Sequence, residues 1–127
     1  MDGFVSFSIS DPSIKTGVQA IGAILDRLVK DERLSVEHRP KVLAAILKRE
    51  ELGSAGIGGG VAIPHAKFSG VASVIGAAVQ FPLGVEFKSL DGKLVHVVYL
   101  FVSPIDRPDE HLRVVELISQ QLRDGPR

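Results

Sequence analysis

Residues 94–102 read LVHVVYLFV, and residues 72–81 read ASVIGAAVQF. Both runs are apolar and β-branched, and both are far shorter than the ~20 residues needed to cross a bilayer. Runs of this length and composition predict strands covered on both faces. Two of them imply a sheet with a layer on each side. Between them, Pro82-Leu83-Gly84 predicts a break, Val85 to Phe87 a short extended piece, and Asp91-Gly92 a tight turn.

The covering layers come from helical patterns on either side of these runs. Val18, Ile21, Ile24, Leu25, Leu28 and Val29 recur at helical spacing and predict a first helix from about Gly17 to Lys30. Thr16-Gly17-Val18-Gln19 has the form of a capping box at its start. Pro40 suits the first turn of a second helix, with Val42, Leu43, Ile46 and Leu47 on its buried face. Its end is expected near Leu52, with Gly53 taking the left-handed conformation that stops many helices. Downstream, Pro104 and Pro108 bracket a loop, and Asp109 and Glu110 place negative charge at the N-terminus of a third helix. Leu112, Val115, Ile118 and Leu122 are its apolar stripe, and His111 falls on the same inward face as Val115, Ile118 and Leu122. Upstream of everything, Val5, Phe7 and Ile9 alternate with serines, the period of a half-buried strand. Helices alternating with buried strands predict an α/β fold: one layered domain over residues 1–127, a mixed sheet flanked by helices.

Charge and composition narrow the function. Fifteen basic and fifteen acidic residues cancel, so no summed positive field exists to hold nucleic acid or an anionic membrane surface. The N-terminal MDGFVSFSIS carries an acid where a signal peptide has its basic region, and no long apolar core follows. A soluble, cytoplasmic protein without membrane insertion is expected. The absence of cysteine removes disulfides, thiolate metal sites and cysteine nucleophiles together. His38, His65, His96 and His111 lack the short spacings of metal ligands, so no metal site is expected. His38 reads as a solvated or capping residue of the linker, and His96 as a residue near an exposed strand end.

Chemistry concentrates in residues 53–67, GSAGIGGGVAIPHAK. The segment lacks the Gly-Lys-Ser/Thr ending of a phosphate loop and the glycine spacing of a dinucleotide fingerprint. Pro64 pushes Ile63 into an extended conformation and excludes a helix start there. Two readings then stand level. One is a glycine-rich connection leading into a strand that ends at Pro64. In the other, backbone N–H groups of the glycines converge on an anion and His65 projects from the strand end as a nucleophile toward phosphorus.

Arg49-Glu50, followed by Gly53-Ser54-Ala55-Gly56-Ile57-Gly58-Gly59-Gly60 and Val61-Ala62-Ile63-Pro64-His65-Ala66-Lys67, resembles the signature of phosphotransferase-system enzyme IIA domains of the fructose, mannitol and nitrogen-regulatory type. His111-Leu112 and the stripe to Leu122 resemble the helix carrying that family's second active-site histidine. The resemblance runs from the first helix to the third. It implies an enzyme IIA type-2 fold and a phosphotransferase component that needs no cofactor. His65 would accept a phosphoryl group from the histidine-containing phosphocarrier protein and donate it to an enzyme IIB. His111 would stand beside it, and Arg49, Ser54, Gly56, Gly58 and Gly60 would hold phosphate or partner. The nitrogen-regulatory members imply an alternative, a switch whose phosphorylation state selects a regulatory target protein.

Two positions depart from the pattern: Ala55 stands where members commonly have Thr, and Gly59 where they often have Asn. Each removes a hydrogen-bonding group, and Ser54 is the nearest substitute. The chain also ends soon after the third helix, so the family's further C-terminal segment is expected to be missing.

Overall fold

The computed structural model describes residues 3–124. Nine elements follow in order: β1 (Phe4–Ser8), α1 (Gly17–Lys30), α2 (Arg39–Glu51), β2 (Gly56–Gly58), β3 (Val61–Ala62), β4 (His65–Phe68), β5 (Ile75–Val85), β6 (Val95–Pro104) and α3 (Pro108–Asp124). Six strands form one mixed sheet in the order β1-β5-β6-β3-β2, with β4 also paired to β6. β5 and β6 are its antiparallel centre, and β1 joins β5 in parallel. This is the α/β sheet flanked by helices that the two apolar runs predict. Among the described residues no helix is long and apolar enough to cross a membrane.

β6 shows how one strand serves two layers. Val98, Leu100 and Val102 pack into the core under α1 and α2, while Tyr99 and Phe101 pack with Val114 and Ile118 of α3 on the opposite face. The two-residue period of a strand produces this division directly. β3 and β4 run parallel to β6 with the same offset, Val61 beside Val97 and His65 beside Phe101. They are therefore two stretches of one line, parted only by Ile63 and Pro64. The strand expected to end at Pro64 resumes at His65, and the imidazole lies within a strand pair instead of beyond one.

The helices match their patterns closely. Thr16 caps α1 with the reciprocal Gln19 bonds of a capping box. Val18, however, is 59% exposed, and Ala20 takes the buried position. On α3, Leu112 is likewise 58% exposed while Val114 is buried, so the expected stripe shifts by two residues at its start. In both cases the first apolar residue of the expected stripe lies on the solvent side of its helix. α2 ends without a left-handed residue: Gly53 has φ 159°, and the N–H groups of Leu52 and Gly53 donate to the carbonyls of Arg49 and Glu50. A tightened last turn satisfies those carbonyls instead. The expected break at Pro82-Leu83-Gly84 is a register irregularity inside β5, with Gly84 at φ 82°, after which pairing resumes between Val85 and Val95.

Candidate functional site

Alternation along the strands assembles the site. On β6, Phe101 and Ser103 share the face turned to α3, and on β4 their register partners are His65 and Lys67. α3 begins four residues after the end of β6, which sets His111 of its first turn over this four-residue patch. The His65 ring stacks on Phe101 with centroids 5.2 Å apart and planes 9° from parallel. His111 approaches both, 5.2 Å from the His65 ring and 5.0 Å from that of Phe101. A cavity of about 370 Å³ opens over the pair, lined by Ala45, Arg49, His65, Ala66, Lys67 and His111. It is large enough for a phosphoryl group and open to a partner.

Each imidazole has one nitrogen occupied. His65 Nδ1 lies 2.8 Å from the Ile63 carbonyl oxygen, and His111 Nδ1 lies 2.5 Å from Ser103 Oγ. A carbonyl only accepts, so His65 Nδ1 carries the hydrogen and, in the neutral ring, Nε2 carries a free lone pair. Burial lowers the pKa of His65 below the ordinary 6.5; the bond to Ile63 works against this, and the positive charges of Arg49 and Lys67 add to the lowering. Burial, with His65 and Lys67 nearby, lowers that of His111 to about 4. Both rings are neutral at physiological pH.

The Ile63 carbonyl is itself anchored. Ile63 N–H donates to the Ala55 carbonyl at 2.9 Å, and Ala55 N–H donates to Glu50 Oε1 at 2.8 Å. Glu50 is half-buried, and desolvation raises its pKa, against the Ala55 bond and the positive charge of Arg49. A carboxylate on α2 thus holds, through two backbone steps, the group that orients His65.

Of the residues the sequence nominates, Arg49, His65 and His111 come together at one cavity. The glycine segment goes elsewhere. Gly56–Gly58 and Val61–Ala62 pair as an antiparallel hairpin whose turn needs positive φ at Gly58, Gly59 and Gly60, at 92°, 66° and 79°. Only glycine adopts three such values in succession at little cost. Gly59 N–H donates to Asp91 Oδ2 at 3.0 Å, Gly56 N–H to Ser54 Oγ at 3.0 Å, and Ser54 Oγ to the Phe87 carbonyl. A side chain at Gly56 would strike Ser89, and the nearest atoms to one at Gly60 belong to Leu94 and His96. Ser54, Gly56, Gly58 and Gly60 are thus tied to the segment before β6, and none of them lines the histidine cavity. His38 precedes α2 without a capping bond and packs edge-on against Phe68, and His96 is exposed with Nδ1 3.0 Å from the Phe81 carbonyl.

A model of the family described as phosphoenolpyruvate-dependent sugar phosphotransferase system, EIIA 2, matches residues 6–126. The chain belongs to this family. Type-2 enzyme IIA relatives include the nitrogen regulatory protein of Bradyrhizobium diazoefficiens, 31% identical over 102 residues, covering 80% of this chain and 67% of that protein. The fructose-specific EIIA component of Haloferax volcanii is 32% identical over 111 residues, covering 87% and 70%. The chain spans 50% to 52% of the length of four other nitrogen regulatory proteins that it matches. Among solved structures, nitrogen regulatory protein IIA-Ntr of Neisseria meningitidis superposes with a TM-score of 0.79 at 26% identity, covering 97% of this chain and 80% of that one. Enzyme IIA of mannitol from Escherichia coli, solved with phosphorylated IIB of mannitol, shares the fold with a TM-score of 0.71 at 22% identity, over 93% and 78% of the two chains.

Three residues beside the two histidines carry no signal in the sequence motif. Lys67 ends the matched run without an evident role, and Phe101 and Ser103 sit inside an apolar strand. Period-2 counting from His65 and along residues 94–103 would have found them, because it puts Lys67 beside His65 and leaves Ser103 as a polar residue in a buried row.

Proposed function

We propose that this enzyme IIA is a phosphoryl carrier of the phosphoenolpyruvate-dependent phosphotransferase system, accepting on His65 from the histidine-containing phosphocarrier protein and donating to an enzyme IIB. The observation that carries the reading is the free Nε2 of a neutral His65 at a cavity edged by Arg49 and Lys67. Its lone pair attacks phosphorus of the donor's phosphohistidine as the donor's N–P bond breaks. The electron pair returns to the donor's imidazole nitrogen, and no proton leaves His65. Such a transfer depends on alignment and on stabilising the equatorial oxygens. Arg49, Lys67 and His111 supply the stabilising groups. The glycine hairpin, with Ser54, Gly56, Gly58 and Gly60, serves as a rim for the partner protein, and the exposed Ile57 is its apolar contact. An enzyme IIB acceptor has a precedent in the mannitol IIA–phosphorylated IIB complex, which shares this fold.

The test is incubation with enzyme I, phosphocarrier protein and labelled phosphoenolpyruvate. The chain takes up label and His65→Ala takes up none; label remaining on that variant would sink the proposal. A regulatory role is the second reading, favoured by the nitrogen regulatory proteins among the relatives. Phosphorylation would add about 1.5 to 2 negative charges at the rim, enough to select between partners. Capture by one form of the protein, phosphorylated or not, separates a switch from a carrier that transfers efficiently to a IIB.

A further inference from the structure

Ser103 is fully buried on the α3 side of β6, and its hydroxyl has one hydrogen to place. Among the described residues its Oγ has one hydrogen-bond partner, Nδ1 of His111. Leaving a buried hydroxyl hydrogen without an acceptor costs about 1 to 3 kcal/mol. The hydrogen therefore goes to Nδ1, which must be the unprotonated nitrogen of that ring. In a neutral imidazole the remaining nitrogen, Nε2, then carries the N–H.

We propose that Ser103 is a positioning residue that holds His111 in its Nε2–H tautomer, so that His111 acts as a neutral hydrogen-bond donor to the phosphoryl group carried by His65. The functional half of this inference rests on His65 being the phosphoryl acceptor. His65 is held in the opposite tautomer by a different device, since the Ile63 carbonyl fixes its hydrogen on Nδ1. Two rings 5.2 Å apart thus offer opposite chemistry to one cavity, a lone pair from one and an N–H from the other. The low pKa of His111 supports the same arrangement, because it keeps the ring neutral. A neutral donor binds the phosphoryl oxygens more weakly than an imidazolium would, which suits a group that must be handed on.

The experiment is imidazole 15N spectroscopy of the full chain at neutral pH, which reports each ring's tautomer without any phosphoryl donor. The expected spectrum has His65 protonated at Nδ1 and His111 at Nε2. In Ser103→Ala, His111 populates both tautomers while His65 keeps its own, and phosphoryl uptake falls about tenfold or more. Ser103→Thr keeps the hydroxyl and restores both the His111 signal and the rate. His111 protonated at Nδ1 in the unaltered chain would overturn the proposal, a result that no folding defect in a variant can obscure. An unchanged His111 tautomer in Ser103→Ala would also overturn it. The expected tautomers with no label on His65 would instead remove the phosphoryl role and leave the Ser103–His111 assignment standing.

Discussion

The two faces of the sheet are built for different purposes. Among the described residues, nineteen buried side chains form the core under α1 and α2, against five under α3. The thick side includes Ile21, Ile24, Leu25 and Leu28 from α1 and Val42 and Ile46 from α2, and holds most of the apolar burial that stabilises the fold. The thin side has only Val61, Tyr99, Phe101, Val114 and Ile118, and its row on β6 continues into Ser103 and its hydrogen bond to His111. A strand can therefore give alternate residues to stability and to chemistry. Polar groups sit where little apolar packing must be given up to admit them.

Substitutions on each face test this division. Ile24→Ala, in the thick core, should cost about 2 to 5 kcal/mol in denaturant unfolding and leave phosphoryl uptake per folded molecule unchanged. A large loss of uptake with native stability would reverse the assignment of roles. Phe101→Leu, on the thin side, keeps volume near enough to cost about 1 to 2 kcal/mol, yet it removes the flat surface under His65 and should slow uptake severalfold. Equal effects of the two variants on uptake would erase the comparison.

Acid sharpens the same contrast. His65 and His111 both have folded-state pKa values below the ordinary 6.5, so between that pH and about 4 the unfolded chain binds more protons than the folded one. Stability is full above 6.5 and falls as pH drops toward 4. His111 is only partly buried, so its share is on the order of 1 kcal/mol after solvent screening. His111→Gln should flatten this part of the pH–stability curve; an unaltered slope would assign the acid sensitivity elsewhere. The smallest effect is expected at Leu112, whose side chain is exposed: Leu112→Ser should change stability by less than about 0.5 kcal/mol, and a loss of 2 kcal/mol or more would place it in the stripe after all.

Much of this was legible in the residues. α1 begins and ends where Thr16 and the apolar spacing place it, because its cap and its stripe act on the same fourteen residues. The motif around His65 singled out the proposed phosphoryl acceptor and Arg49, which the fold brings to one cavity with His111, and helical periodicity turned His111 inward. The glycines were harder to read. Composition cannot distinguish N–H groups converging on an anion from N–H groups committed to a hairpin, and it was Asp91, 32 residues downstream, that took the Gly59 N–H. Leu112 and Val18 differ for a related reason: a stripe drawn on one helix does not say which of its residues the rest of the fold covers. Ser103 was invisible because its meaning depends on which residue α3 sets above it.

The join between β6 and α3 also bears on how the site is assembled. Ser103 and His111 are eight residues apart, whereas His65 reaches Phe101 across 36. Closing the longer loop costs about 1.3 kcal/mol more in chain entropy, and strand pairing at that range is the slower kind of event. One half of the histidine pair therefore belongs to a local turn and the other to long-range pairing. The proposed acceptor His65 and its neighbour His111 come together only once β4 has docked, which would tie the proposed transfer to completion of the sheet.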